Sequence, residues 1–306
     1  MSQTETNESA AFDPAEAFSR TRGWITATEE QRLRGARIAI AGLGGVGGSH
    51  LLTLTRLGIG GFNLAEFDRF ELANFNRQAG ATRSSLGKPK LDTLIDMARD
   101  INPDLDIRRF PEGVHAGNMD SFLADVDVYV DGLDFFAVSA RRSVFDACWR
   151  RGIAAVTAAP LGMGVALLNF LPGHMSFEDY FGMEGRDEAE QLARFLVGLS
   201  PAMLQRAYLA DPSAVDFARG RGPSTPMACE LCAGVAATEA LKILLGRGSL
   251  LAAPWGLHFD AYRQRMKRTW RPGGHRNPIQ RIALAIARHQ LARMHRGQTP
   301  KAEENS

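Results

Sequence analysis

The chain predicts a doubly wound α/β fold on a mostly parallel sheet, and three observations predict it. Short apolar runs alternate with helical patterns from Arg37 to Val130, the rhythm of strands joined by crossover helices. Gly42, Gly44 and Gly47 follow the first run in the G-x-G-x-x-G spacing, which turns a strand into a helix around a phosphate. A second run ends in Glu66, at the distance beyond the glycines where a Rossmann-like fold places the acid that meets a ribose.

Taken in order, residues 1–14 are rich in Ser, Thr and Glu without periodicity and read as a disordered leader. A short helix is predicted over Thr28–Leu33. Strands are predicted near Ile38–Ala41, Phe62–Glu66, Asp106–Phe110 and Val126–Val130, with a helix over Lys90–Ile101 that Asn102-Pro103 ends. Asp131 and Asp134 then fall at the carboxyl end of a strand, where open α/β sheets bind ligands; paired aspartates after a strand also serve as helix caps. Beyond them come a helix over Val144–Arg151, a strand over Ala154–Thr157, a turn at Ala158–Gly162 and an apolar, buried strand over Val165–Leu171. The stretch from Pro172 to Pro226 is polar, with helical pieces near Glu188–Val197 and Pro201–Leu209. Its aromatic and acidic segment Met175–Phe181 either grips a partner or covers the core.

Composition sets limits. Apolar residues make up 45% and charged residues 23% of 306, ordinary for a soluble globular protein, and a net charge of +2 does not call for a nucleic-acid or membrane partner. No run of 18 apolar residues occurs and the polar start is no secretory signal, so a cytoplasmic location is expected. Three cysteines, Cys148, Cys229 and Cys232, give no disulfide framework. Cys229 and Cys232 form one C-x-x-C pair opening an apolar helix over Ala233–Leu245. Tetrahedral zinc needs four ligands, so a buried pair without zinc is expected. From Arg263 to Arg296 there are ten Arg and Lys and no Asp or Glu. Ile279, Ile282, Ile286 and Met294 give this stretch a helical apolar stripe, which suits RNA, an acidic protein, an anionic surface, or simple docking with a solvated basic face.

Gly42 permits the tight turn, Gly44 lets backbone approach a phosphate and Gly47 lets the next helix pack on the sheet. That fingerprint alone leaves hydride chemistry open. Asn74, Arg77, Gln78 and Lys90 follow the acidic strand end, and two cations near a phosphate loop suit a triphosphate whose charge must be neutralised during attack.

Five motifs run in register: Gly42-Leu43-Gly44-Gly45-Val46-Gly47, Glu66-Phe67-Asp68, Asn74 to Gln78, Gly87-Lys88-Pro89-Lys90, and Asp131-Gly132-Leu133-Asp134. Together they resemble the ThiF/MoeB/HesA family, bacterial relatives of ubiquitin-activating enzymes, which adenylate a carboxylate with ATP and magnesium. The resemblance implies roles: the Gly45 backbone and Arg77 on the phosphates, Glu66 on the ribose, Asn74 and Lys90 on the triphosphate, and Asp134 on Mg2+. Gly42, Gly44, Gly47, Asp68 and Gln78 complete the implied nucleotide contacts. In the family an N-terminal arm crosses a homodimer and places an arginine on the partner's ATP, and Phe18-Ser19-Arg20 resembles it, which makes Arg20 a fourth catalytic candidate. The resemblance further implies an antiparallel closing pair over Leu257–Trp270 and a crossover loop above the acceptor site. The domain reading is then a leader (1–14), a ThiF-like adenylation domain (15–272, with a nucleotide half 35–150 and an acceptor half 151–272), and a basic helix and tail (273–306).

The chain departs from the family pattern in places. Phe135 stands where the family has Asn, two extra residues precede Arg141, and Pro272-Gly273-Gly274-His275-Arg276 replaces a second cysteine pair. No cysteine lies between Pro172 and Pro226, where thioester-forming relatives carry theirs, which leaves Cys229 as the candidate nucleophile. The implied activity is ATP-dependent activation of a carboxylate on a carrier-protein C-terminus, a peptide or a small molecule. The alternatives are a relative of the tRNA-modifying dehydratases, with RNA as partner, and a non-catalytic nucleotide-binding subunit.

Overall fold

The computed structural model of the chain describes residues 12–211, 214 and 222–297. Eight strands form one sheet in the order β3-β2-β1-β4-β5-β6-β7-β8. The strands β1 (Arg37–Ala41), β2 (Gly61–Ala65), β3 (Asp106–Phe110), β4 (Val128–Asp131) and β5 (Ala154–Leu161) are parallel. The strands β6 (Gly164–Phe170), β7 (Trp255–Asp260) and β8 (Arg265–Trp270) add on antiparallel. The helices are α1 (Pro14–Ala17), α2 (Ala27–Gly35), α3 (Gly47–Arg56), α4 (Lys90–Ile101), α5 (Met119–Phe122), α6 (Val138–Arg151), α7 (Phe177–Phe181), α8 (Glu188–Leu199), α9 (Pro226–Leu245) and α10 (Pro278–Gly297).

Successive side chains of a strand face opposite sides, and here each side has its own core. Ile38, Ile40, Leu64, Val128, Val130 and Val156 pack with α3, α4 and α9 on one side. Ala39, Ala41, Tyr129 and Ala155 lie on the other, against Phe145, Phe177, Phe181 and Phe195 of α6, α7 and α8. Burial on both faces explains why Ile38–Ala41 of β1 and Val128–Val130 of β4 read as unbroken apolar runs. No helix of the described residues is long and apolar enough to cross a membrane.

Several boundaries differ from the sequence expectation, each for a local reason. Asp125 adopts φ +59° and the Asp127 carboxylate accepts the Arg37 N–H at 2.8 Å, so β4 begins at Val128 and not at Val126. The expected turn at Ala158–Gly162 is instead strand to Leu161, because β6 pairs with it through Pro160 opposite Val165; the chain reverses at Gly162, where φ is +61°. The helix expected from Ala233 starts at Pro226, which takes the first helical position after Thr225. Of the helical piece expected over Pro201–Leu209, a 3-10 turn over Leu204–Tyr208 forms.

At the N-terminus, residues 1–11 of the expected leader lie outside the described residues; Phe12 meets Phe18 edge-on and Asp13 caps α1 through the Ala15 N–H. On α10, Leu284 packs with Ala193 and Val197 of α8, flanked by Ala283 and Ala287, while Ile279, Ile282 and Ile286 are exposed. The Met294 side chain and the tail beyond Gly297 lie outside the described residues.

Candidate functional site

Crossovers leave β1 toward β2 on one side and reach β4 on the other, so the ends of β1 and β4 form a topological switch point, where ligands of such sheets bind. The glycine loop lies there. Gly42 has φ +81°, and a Cβ on it would overlap the Gly132 carbonyl; one on Gly47 would overlap the Gly42 carbonyl. These residues close the loop backbone-to-backbone on the end of β4. Gly44 and Gly45 differ, since only side-chain ends approach them: Gln78 Nε2 stands 3.8 Å from a Cβ placed on Gly44, and Cys229 Sγ and Arg77 Nε stand 3.4 and 3.5 Å from one on Gly45. The N-terminus of α3 rises from this loop with the electropositive character that suits an anion.

Glu66 is buried and braces the loop. Its Oε2 accepts the Leu43 N–H at 2.8 Å, and its Oε1 accepts the N–H groups of Phe67 and Asp68 at 2.8 and 2.9 Å. Lys90, at the start of α4, is buried and its Nζ donates to Asp68 Oδ2 at 3.1 Å; the Lys90 N–H also donates to the Asp68 carbonyl. Asn74 turns inward to accept the Glu71 N–H through Oδ1. Arg77 is held by the Ala73 carbonyl at 3.1 Å and Asn76 Oδ1 at 2.9 Å, while Asn76 Nδ2 reaches the Ser224 carbonyl just before α9. Gln78 is buried beside Gly44, and among the described residues its Oε1 has no partner.

The end of β4 is fixed by a buried ion pair. Asp131 Oδ2 accepts Arg141 Nε at 2.8 Å and Thr157 Oγ1 at 2.9 Å, and Arg141 Nη2 donates to the carbonyls of Leu133 and Asp134 at 2.6 and 3.1 Å. The Arg141 guanidinium also lies 4.6 Å from the Phe195 ring centroid. Asp134 itself is exposed; Oδ1 accepts the Phe136 N–H at 3.0 Å, and Oδ2 has no hydrogen bond among the described residues. Phe135, in place of the family's Asn, packs on Phe195 with centroids 5.2 Å apart. His50 on α3 is fully buried, with both ring nitrogens unpartnered among the described residues; burial pushes its pKa down to about 4 against the opposing pull of Asp131.

The fold thus brings the glycine loop, Glu66, Asp68, Asn74, Arg77, Gln78, Lys90 and Asp134 to the carboxyl ends of β1, β2 and β4. Arg20 is not brought there. Phe18 is buried against Gly58, before β2, so Arg20 stands at the amino end of these strands, exposed. Thr157 and His50 escaped the sequence reading. A lone polar residue inside the run Ala154–Ala159 is a signal for Thr157; nothing in the sequence singles out His50. Cys229 and Cys232 lie buried in α9, and burial pushes both thiols up. Among the described residues no group of three or more His, Cys, Asp or Glu could hold a metal ion.

ATP fits these residues: among the described residues Gln78 Oε1 is a buried acceptor without a donor, Arg77 stands beside Gly45 as a cation, and Lys90 adds a second cation paired with Asp68 after the end of β2. The chain is similar to known proteins. It is 31% identical over 144 residues to the vegetative HesA protein of Trichormus variabilis, covering 47% of this chain and 54% of that one. It is 28% identical over 143 residues to the sulfur carrier protein ThiS adenylyltransferase of Escherichia coli, covering 47% and 56%. The chain therefore spans about half the length of the curated relatives it matches. Among solved structures it resembles the E. coli tRNA N6-threonylcarbamoyladenosine dehydratase TcdA in complex with ATP, with a TM-score of 0.56 and 21% identity over 76% of this chain and 95% of that one. The family model described as the ThiF family matches residues 18–280, and with motifs and fold in agreement the chain belongs to the ThiF family.

Proposed function

We propose that the protein is an ATP-dependent adenylyltransferase that activates a carboxylate as an acyl-adenylate. The observation that carries this reading is a cation, Arg77, beside the Gly45 backbone of the glycine loop, with a second buried cation, Lys90, held by Asp68 after the neighbouring strand. In the reaction a carboxylate oxygen attacks the α-phosphorus, the bond from that phosphorus to the bridging oxygen breaks, and pyrophosphate leaves with both electrons. No proton moves, so the task of the protein is to orient the groups and to stabilise charge growing on phosphate oxygens. Arg77 and Lys90 supply that charge. Asp134 Oδ2 is a hard oxygen donor suited to Mg2+, which when bound would neutralise the phosphates. Glu66 holds the ribose side and Gln78 the loop.

Incubation with ATP, labelled pyrophosphate and candidate acceptors should give label exchange into ATP for one carboxylate class: a carrier C-terminus, a peptide or a small acid. ATP with magnesium should also bind more tightly than NAD. Tighter binding of NAD, or ATP binding without exchange for any acceptor, would overturn the reading.

The same reading makes the protein a homodimer in which Arg20 serves the partner's site. The anchoring of Phe18 at the far end of the strands supports this, since it holds Arg20 away from its own glycine loop. Arg20→Ala and Asp134→Ala should each be nearly inactive. After subunit exchange half the dimers are mixed, and each mixed dimer carries one intact site, so activity should recover to about a quarter of wild type. No recovery would assign Arg20 to its own chain, and full activity of Arg20→Ala would remove it from the site.

A further inference from the structure

β8 is the last strand of the sheet, and among the described residues its outer edge makes no backbone hydrogen bond. Such an edge is a template for another strand unless something guards it. Its side chains fall into two rows. Met266, Arg268 and Trp270 share a face with their partners on β7, where Trp255 stacks on Trp270 with centroids 5.8 Å apart. Arg265 and Lys267 occupy the opposite face. Met266, Trp255 and Trp270 are exposed, and none of the three cations forms an ion pair among the described residues.

We infer that the β8 edge is a docking site for an acidic, extended polypeptide segment that adds to the sheet as a ninth strand. The charge selects the occupant. A second copy of β8 would set like charges against Arg265, Lys267 and Arg268, which costs binding energy. A strand alternating acidic and apolar residues would put its acids beside Arg265 and Lys267, and its apolar side chains on Met266 and Trp270. Backbone hydrogen bonds would supply affinity and the two rows specificity, as in other strand additions. Cations that merely guard an edge would bind no such strand, so the two roles are separable by experiment. The proposal does not depend on the adenylation reaction.

The test uses the full chain and a capped, fluorescein-labelled octapeptide alternating glutamate and valine, read by anisotropy near physiological salt. The peptide should bind saturably, and the double variant Arg265→Glu/Lys267→Glu should weaken it at least about tenfold with ATP binding and circular dichroism unchanged. N-methylation of every peptide amide removes the strand hydrogen bonds but keeps the charge, and should weaken binding comparably. Equal binding of the methylated peptide would reduce the effect to charge alone and overturn the proposal. Absence of binding, or tighter binding of a single-stranded oligouridylate than of the peptide, would overturn it as well.

Discussion

Lys90→Met should lower pyrophosphate exchange by about 10²–10³-fold, with a much smaller loss of ATP affinity. Lys90 is buried but its partner Asp68 keeps 53% of its side chain exposed. Removing the ammonium therefore leaves no charge stranded in the interior, and methionine retains the apolar stem. The lost interaction is one that strengthens as negative charge develops at the phosphates, so kcat and kcat/KM should fall together. Unchanged urea unfolding alongside lost exchange would place Lys90 in the chemistry. Near-wild-type exchange would remove it from there.

Arg141→Met should show the opposite pattern, with stability as the main loss. The side chains of Asp131 and Arg141 are 2% and 3% exposed, so deleting the guanidinium strands a buried carboxylate, at a cost of about 3–5 kcal/mol. It also releases the Leu133 and Asp134 carbonyls that Arg141 pins, loosening the segment that carries Asp134. Urea unfolding of this variant and of Asp131→Asn/Arg141→Met checks the cause. The double variant should recover much of the loss, because no charge remains to be satisfied; if it unfolds as easily as the single variant, the cost lies in packing against Phe195.

The parallel half of the sheet was legible because its signals are local. The unbroken apolar runs, the glycine spacing and the acid after β2 each report one strand end, and those ends converge once the strands lie parallel. What failed to show in the sequence depends on partners distant in the chain. Pro160 and Gly162 together read as a turn, yet β6 keeps Pro160 in the strand by pairing across it. Thr225-Pro226 is a helix start, but the polar surroundings hid it and the cysteine pair drew the start to Ala233. Asp131 and Asp134 look alike as letters; only the fold shows one locked to Arg141 and Thr157 inside the protein and the other at the surface with an oxygen to spare. The displacement of Arg20 to the far end of the strands was likewise invisible, because it follows from where Phe18 packs.

Glu66 carries a consequence for sugar selectivity. A carboxylate offers roughly four lone-pair directions, and the backbone N–H groups of Leu43, Phe67 and Asp68 occupy three. A ribose arriving at this strand end therefore finds one acceptor direction open on Oε2, enough for one hydroxyl and not for both of a vicinal diol. Discrimination against a deoxy sugar would rest on that single contact, about 1.5–3 kcal/mol for a hydrogen bond to a charged group, and only one of the two hydroxyl positions would matter.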